Sequence, residues 1–191
     1  MSTQAKTLLT PEQYLEIERL AEYKSEYWQG EMFAMSGAAE PHNLLVSSIH
    51  GQLYSQLRGR ECRTYSNDTR VRVSATGLYT YPDVVAVCGA SEFLDSRRDT
   101  LLNPTLIVEV LSPSTEAYDR GRKFEHYQSI DSLQQYLLVA SERVHADLFT
   151  RQSGGQWLLR SVSCLEDTIH LESIGCRIEL RESYERVEFL S

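Results

Sequence analysis

Residues 105–111, Thr-Leu-Ile-Val-Glu-Val-Leu, constrain this chain more than any other stretch. The run follows Pro104, ends at Ser112-Pro113, and is apolar at odd and even positions alike. A strand with one wet face alternates; a strand apolar on both faces belongs in the middle of a sheet covered on each side. A helix expected over 118–128 and a further strand over 135–140 follow it. Strand, helix and strand in that order predict a right-handed crossover between parallel neighbours. The expected fold class is therefore α/β in the α+β sense, a mixed sheet, antiparallel elsewhere, with helices on both faces.

The elements around that strand are read from local signals. Thr10-Pro11-Glu12-Gln13 starts a helix, with Thr as N-cap, Pro in the first turn and Gln three residues past the cap, and the helix is expected to run to about Lys24. Residues 26–33 read as a hairpin turning at Gln29-Gly30. Leu45, Ile49, Leu53 and Leu57 mark the buried stripe of a helix over 41–58, and His42 falls on the same face. Residues 61–66 and 69–74 read as two strands, and Pro82 opens another over 83–88. Residues 89–103 read as a polar loop. The tail after 146 reads as β-rich, with turns at Gly154-Gly155 and Gly175, and a helix over 183–190 closes it. No repeat or linker interrupts the 191 residues, so a single domain over 1–191 is expected.

Composition narrows the function. Apolar runs stop at five or six residues, so none can span a bilayer, and the opening MSTQAKTLLTPEQ has no apolar core of a secretory signal; the expected address is the cytoplasm. Cysteines 62, 88, 164 and 176 form no CxxC pair, which argues against a Cys/His zinc site, and all four are read as free thiols. Net charge is −8. The acid excess sits in residues 1–57 and 161–191, each with 3 bases and 7 acids, while 58–160 is balanced at 13 and 13. Such a chain lacks broad affinity for nucleic acid but can still carry a local arginine-lined groove. Arg58, Arg60, Arg63, Arg70 and Arg72 are the candidates for one; a solvated pair of strands is the plainer reading.

Glu109 is the anomaly in the central run. A lone carboxylate among dry neighbours costs several kcal/mol or keeps its proton, so it calls for a metal cation or a buried Lys or Arg. Asp83 heads another apolar strand. Two carboxylates at neighbouring strand ends can hold one hard divalent ion, Mg²⁺ or Mn²⁺, through oxygen; a structural ion pair with an arginine is the alternative. Asp119, Lys123 and Tyr127 form a row of fours on the next helix, with Arg120 on the same side. If the row faces the strand ends, Lys123 reaches the two acids; otherwise Asp119–Lys123 is a surface pair. Glu26 and His42 are further candidates, against an exposed acid beside Lys24 and a satisfied core histidine. His50, His126, His145 and His170 are read as structural. No GxSxG elbow, phosphate-binding P-loop or HExxH is present.

Three strings together carry a resemblance: Tyr81-Pro82-Asp83-Val-Val, Ile107-Val-Glu109-Val-Leu-Ser-Pro-Ser-Thr115, and Asp119-Arg120-Gly-Arg-Lys123-Phe-Glu-His-Tyr127. They resemble the PD-(D/E)xK nuclease superfamily, specifically the bacterial family of predicted restriction endonucleases called Uma-type. The likeness extends from the Ser25–Glu31 hairpin to the strand over Tyr136. It implies a restriction-endonuclease-like core with a β-rich C-terminal extension and a Mg²⁺- or Mn²⁺-dependent DNA endonuclease, with a homodimer expected for cutting two strands. By that analogy Asp83, Glu109 and the Val110 carbonyl hold the metal, Lys123 orients the attacking water, and Glu26 and His42 complete the site. The superfamily's usual lysine position, two residues past the glutamate, is Leu111 here. The alternatives are an inactive nuclease fold that binds nucleic acid or protein, and a purely structural interaction protein.

Overall fold

A computed structural model describes residues 8–189. Its centre is a six-stranded sheet in the order β11-β10-β9-β8-β6-β3. The strands are β3 (Cys62–Ser66), β6 (Val84–Cys88), β8 (Leu106–Leu111), β9 (Gln135–Ala140), β10 (Ala146–Arg151) and β11 (Trp157–Val162). Every residue of β8 and β9 is buried, as the doubly apolar run requires. The two pair in parallel, and the other neighbours are antiparallel. Helix α2 (Glu40–Leu57) covers one face through Leu45, Ile49, Leu53 and Leu57, joined by the β12 (Thr168–Leu171)–β13 (Cys176–Glu179) hairpin.

The opposite face is where the architecture is richer than one mixed sheet. It meets a second sheet, β2-β1-β5-β4-β7, built from β1 (Ser25–Trp28), β2 (Glu31–Ala34), β4 (Arg70–Val73), β5 (Leu78–Thr80) and β7 (Thr100–Leu101). Val71, Val73 and Leu78 from that sheet pack with Ile107, Leu111 and Leu138 of the central one. The expected loop over 89–103 thus contributes a strand, and β4 and β7 run parallel, not antiparallel. The crossover from β8 to β9 is α3 (Glu116–Tyr118), a π-helical turn over Asp119–Lys123, and α4 (Phe124–Gln128). A helical segment therefore lies on each side of the central sheet.

Local signals hold at the N-terminus. Thr10 Oγ1 accepts from the Gln13 N–H at 3.3 Å while Gln13 Oε1 accepts from the Thr10 N–H at 2.9 Å, the reciprocal cap of α1 (Pro11–Glu18). The helix stops at Glu18, short of Lys24, because Glu18 turns inward to accept from the Ser25 N–H and the Tyr81 hydroxyl, both at 2.8 Å. Gln29 and Gly30 both have positive φ (50° and 87°), as a two-residue hairpin turn demands, and a Cβ at Gly30 would lie 2.7 Å from Leu8 Cβ.

Three further expectations are corrected. The 61–66 and 69–74 strands do not pair with each other: β3 bonds to β6, and β4 to β5 and β7. The arginines accordingly disperse; Arg58, Arg60 and Arg63 are exposed, while Arg70 is buried, so they form neither a solvated strand pair nor a groove. Cys62 and Cys88 are register partners joined as a disulfide, leaving Cys164 and Cys176 as free thiols. The closing helix is α5 (Leu180–Ser183), shifted toward the N-terminus because Leu180 and Tyr184 are core residues; the expected end at Leu190 and the opening residues 1–7 lie outside the described residues.

Candidate active site

Where β6 and β8 part company, a carboxylate takes over from backbone. Their ladder ends at Val84↔Val108, and the next inward donor, the Val110 N–H, is bound at 2.8 Å by Asp83 Oδ2. His42 Nε2, from the start of α2, meets the same oxygen at 3.2 Å. The strand pleat turns Val108 and Val110 toward α2, and so turns Glu109 with Ile107 and Leu111 toward the second sheet. The Asp83 N–H approaches Glu109 Oε2 at 3.4 Å, which puts the two acids side by side.

The crossover supplies the cation. Lys123 is buried at 5% exposure, and its Nζ lies 2.9 Å from Glu109 Oε1, 3.2 Å from Asp119 Oδ1 and 3.5 Å from Glu26 Oε1. Tyr127 donates its hydroxyl to Glu109 Oε1 at 2.8 Å. The row Asp119, Lys123, Tyr127 thus faces the strand ends. Arg120 leaves that side, contrary to its expected position, to pair with Glu116 at 2.7 Å and Asp147 at 2.6 Å. The π-helical turn that includes both residues widens the spacing there, a feature common beside functional sites. Glu26 reaches in from β1, buried, with Thr80 and Tyr118 donating hydroxyls to its two oxygens.

All five candidate residues, Glu26, His42, Asp83, Glu109 and Lys123, therefore line one cleft of about 920 Å³. It carries three cations, Lys24, Arg122 and Lys123, against the four carboxylates of Glu26, Asp83, Glu109 and Asp119. The imbalance shows at Glu109. Burial pushes its carboxyl up to about 8, although the Lys123 charge pulls it down, and Asp119 and Asp83 add to the rise. Burial opposes the Lys123 ammonium too, but Glu109, Asp119 and Glu26 hold it well above the ordinary lysine range. The pair is short of positive charge: burial and the neighbouring acids disfavour the Glu109 carboxylate, and a further cation beside it would favour it.

A hydrated divalent cation is a group of that kind. Among the described residues no three His, Cys, Asp or Glu side chains are grouped as for a closed metal cage. Mg²⁺ does not need one: it keeps several waters and takes one or two carboxylates. Glu109 Oε1 and Asp83 Oδ2 are occupied by Lys123, Tyr127, Val110 and His42, so Glu109 Oε2, which takes only the long contact from the Asp83 N–H, and Asp83 Oδ1 are the carboxylate oxygens that would meet a cation, with the Val110 carbonyl beside them. The all-oxygen set fits a hard ion.

Other residues enter the cleft that the sequence reading left out. Tyr118 and Thr80 hold Glu26, and neither had a periodic signal to mark it. Trp28, Phe33, Arg122 and His126 form part of the wall. His126, read as structural, stands edge-on to Trp28 with ring centroids 5.5 Å apart, and burial lowers its pKa. His145, also read as structural, has two partners: Asp147 at 3.0 Å and Ser163 at 2.9 Å. That Ser–His–Asp string is no nucleophile site, since the Ser163 and Cys164 N–H groups an oxyanion would need are both bound to Asp167.

Comparison with known proteins bears on the family and the fold. Residues 11–181 match the family model Uma2, described as "Putative restriction endonuclease". The uncharacterized protein slr1290 of Synechocystis sp. (strain PCC 6803) is 36% identical over 183 residues, covering 95% of this chain and 94% of its own. A second protein of that organism, sll1609, is 34% identical over 152 residues, 80% of this chain and 86% of its own. Among solved structures, a crystal structure described as a putative nuclease belonging to DUF820, from Anabaena variabilis ATCC 29413, superposes with a TM-score of 0.76. It is 14% identical and covers 93% of this chain and 98% of that one, which establishes a shared fold.

Proposed function

The chain belongs to the Uma2 family, and from that premise we propose that it is a divalent-metal-dependent DNA endonuclease, a hydrolase of phosphodiester bonds. The observation that carries the reading is the pairing of Lys123 with a buried Glu109, beside an Asp83 anchored on the neighbouring strand, at the wall of an open cleft. Buried ion pairs that serve stability alone have no need of an opening or of surplus carboxylate.

Asp83, Glu109 and the Val110 carbonyl would hold Mg²⁺ or Mn²⁺. When bound, the ion lowers the pKa of a water and offsets charge at the attacked phosphorus. The protein's own groups do the rest. Lys123 orients the water and stabilises negative charge that builds on the phosphoryl oxygens. Asp119 and Glu26 fix the ammonium from two further sides, and Thr80 and Tyr118 fix Glu26, so Glu26 acts as a positioning residue for Lys123. His42 orients Asp83 through Nε2 and stands where it can meet a phosphate.

The same reading takes residues 1–191 as one domain, because Glu26 comes from the second sheet and Glu109 from the central one. The proposed address is the cytoplasm, where a DNA substrate lies; among the described residues no helix is long and apolar enough to cross a membrane. The Cys62–Cys88 disulfide points the other way, since the cytoplasm is reducing: on thiol titration of freshly isolated protein, free Cys62 and Cys88 support the cytoplasm and an intact disulfide overturns it. A homodimer brings two sites to two strands; edge strand β11 exposes Leu158 (60%) and Leu159 (50%) as its contact, and a strictly monomeric species in sedimentation at tens of micromolar removes it.

The test of the function is Mn²⁺ titration by calorimetry together with plasmid nicking, in wild type and in Asp83→Asn and Glu109→Gln. Binding and nicking by wild type that are lost in both variants support the enzyme. A folded wild type that binds DNA but neither binds Mn²⁺ nor nicks favours a non-catalytic binding module, for which the net charge of −8 and the lysine missing from position 111 speak.

A further inference from the structure

The cleft has a second wall that the hydrolytic residues leave unused. In the β1–β2 hairpin, Glu26 and Trp28 share a face, and Phe33 lies directly opposite Glu26 in the register. Phe33 is 47% exposed, on the cleft, one strand away from the buried ion pair. Beside it the Arg122 guanidinium carbon sits 4.2 Å from the centroid of the Trp28 ring, and His126 closes the ring's edge. Arg122 is exposed on its other side, although Glu125 and Asp119 are sequence neighbours of opposite charge. An exposed phenyl ring and a guanidinium laid over an indole are two flat π-type surfaces, and nothing in the phosphodiester chemistry requires them.

Resting on the nuclease reading, we infer that this wall is a stacking subsite for an unpaired nucleobase next to the scissile phosphate, so that the substrate class is nucleic acid with single-stranded or splayed nucleotides.

Three observations converge on that occupant. Every base has a π-face, and stacking on aromatic rings and on arginine planes is how unpaired bases are held. The cleft is about 920 Å³, room for a nucleotide or two but far too small for a duplex. Its three cations are outnumbered by carboxylates, so it cannot draw affinity from neutralising a row of duplex phosphates, and stacking supplies what charge does not. A base seated against Phe33 also leaves its own 5′ or 3′ phosphate within reach of the adjoining acids, which joins recognition to the site of cleavage.

The experiment uses the full-length chain with oligonucleotides that carry 2-aminopurine, a fluorescent base dimmed by stacking. One is single-stranded, one has the base in an unpaired bulge, and one is a uniform duplex; binding is read in EDTA and again in Mg²⁺. The expected result is tighter binding of the first two with loss of 2-aminopurine emission. Phe33→Ala and Arg122→Gln, both at exposed positions where folding is not at stake, should each weaken that binding roughly tenfold and restore emission. If wild type nicks plasmid and binds all three oligonucleotides alike, with emission unchanged and the variants equal to wild type, the stacking subsite is wrong and the nuclease reading stands. If no oligonucleotide binds and no plasmid is nicked, both fall together.

Discussion

Two charge clusters in this molecule use the same kinds of residue to opposite effect. One joins α1 to the second sheet. There Arg70, 3% exposed, donates to Thr100 at 3.0 Å and Tyr81 at 2.7 Å and pairs with Asp99 at 3.1 Å, while Arg19 forks onto Asp99 and Asp95. Hydrogen bonds from Arg19, with Arg70 adding its charge, hold the Asp99 carboxyl at about 2. The other cluster is the cleft, where one ammonium serves Glu109, Asp119 and Glu26 and the Glu109 carboxyl rises to about 8. Planar guanidiniums present several donors in a fixed fork and can satisfy neighbouring acids completely; a lysine is a point charge and cannot. The arginine cluster pairs each of its acids with a guanidinium and holds α1 to the second sheet. The lysine cluster is left short of positive charge, and it is the one that lines the cleft.

Substitutions should separate the two. The largest effect expected is on chemistry: Glu109→Gln should lower plasmid nicking at least about a hundredfold with the circular dichroism spectrum unchanged, since the amide keeps the shape and loses the charge. Retained nicking would erase the distinction between the clusters. Arg70→Met should do the reverse, removing about 1–3 kcal/mol of stability in urea unfolding by taking the buried donor from Thr100 and the Tyr81 hydroxyl while Asp99 keeps Arg19, with nicking per folded molecule unchanged.

A pH series sharpens the contrast through its sign. Asp99 is lowered from its ordinary 3.8, so its contribution is fully present above pH 3.8 and is lost as pH falls through 2; the cost of Asp99→Asn should shrink over that range. Glu109 is raised from its ordinary 4.5, so its contribution is present below pH 4.5 and is lost as pH rises through 8. Wild type should therefore lose stability relative to Glu109→Gln between those values, read from urea midpoints at each pH. The smallest effect belongs to the helix start: Thr10→Ala should cost about 1 kcal/mol and loosen the arginine cluster, which α1 carries, without altering nicking.

What the sequence made legible follows from how local each signal is. Thr10 with Gln13, and Gln29 with Gly30, announce a cap and a turn because three or four residues suffice to make them. Glu109 is visible for the same reason, as one charge inside a short apolar run, and the row Asp119, Lys123, Tyr127 is visible as helical spacing. Arg70 was hidden: in Arg-Val-Arg-Val it reads as a wet position, and its burial depends on Tyr81 and Asp99, which lie far along the chain. Arg120 was misplaced likewise, since Asp147, which binds it, sits on strand β10, 27 residues along the chain. The Cys62–Cys88 pair needs the β3–β6 register, and the second sheet needs the three-residue strand β5, too short to announce itself.

The wide spacing of the site along the chain has a consequence in time. Glu26, Asp83 and Glu109 leave the ribosome before Lys123, and at cellular rates of synthesis the interval between Glu109 and Lys123 is roughly one to three seconds. Strand β9, the parallel partner of β8, comes later still. A half-made chain therefore has acids without their ammonium and a central strand without its neighbour. If the molecule cuts DNA, its biosynthesis carries a built-in delay: no nascent fragment can act on a chromosome before the crossover has folded and closed the site.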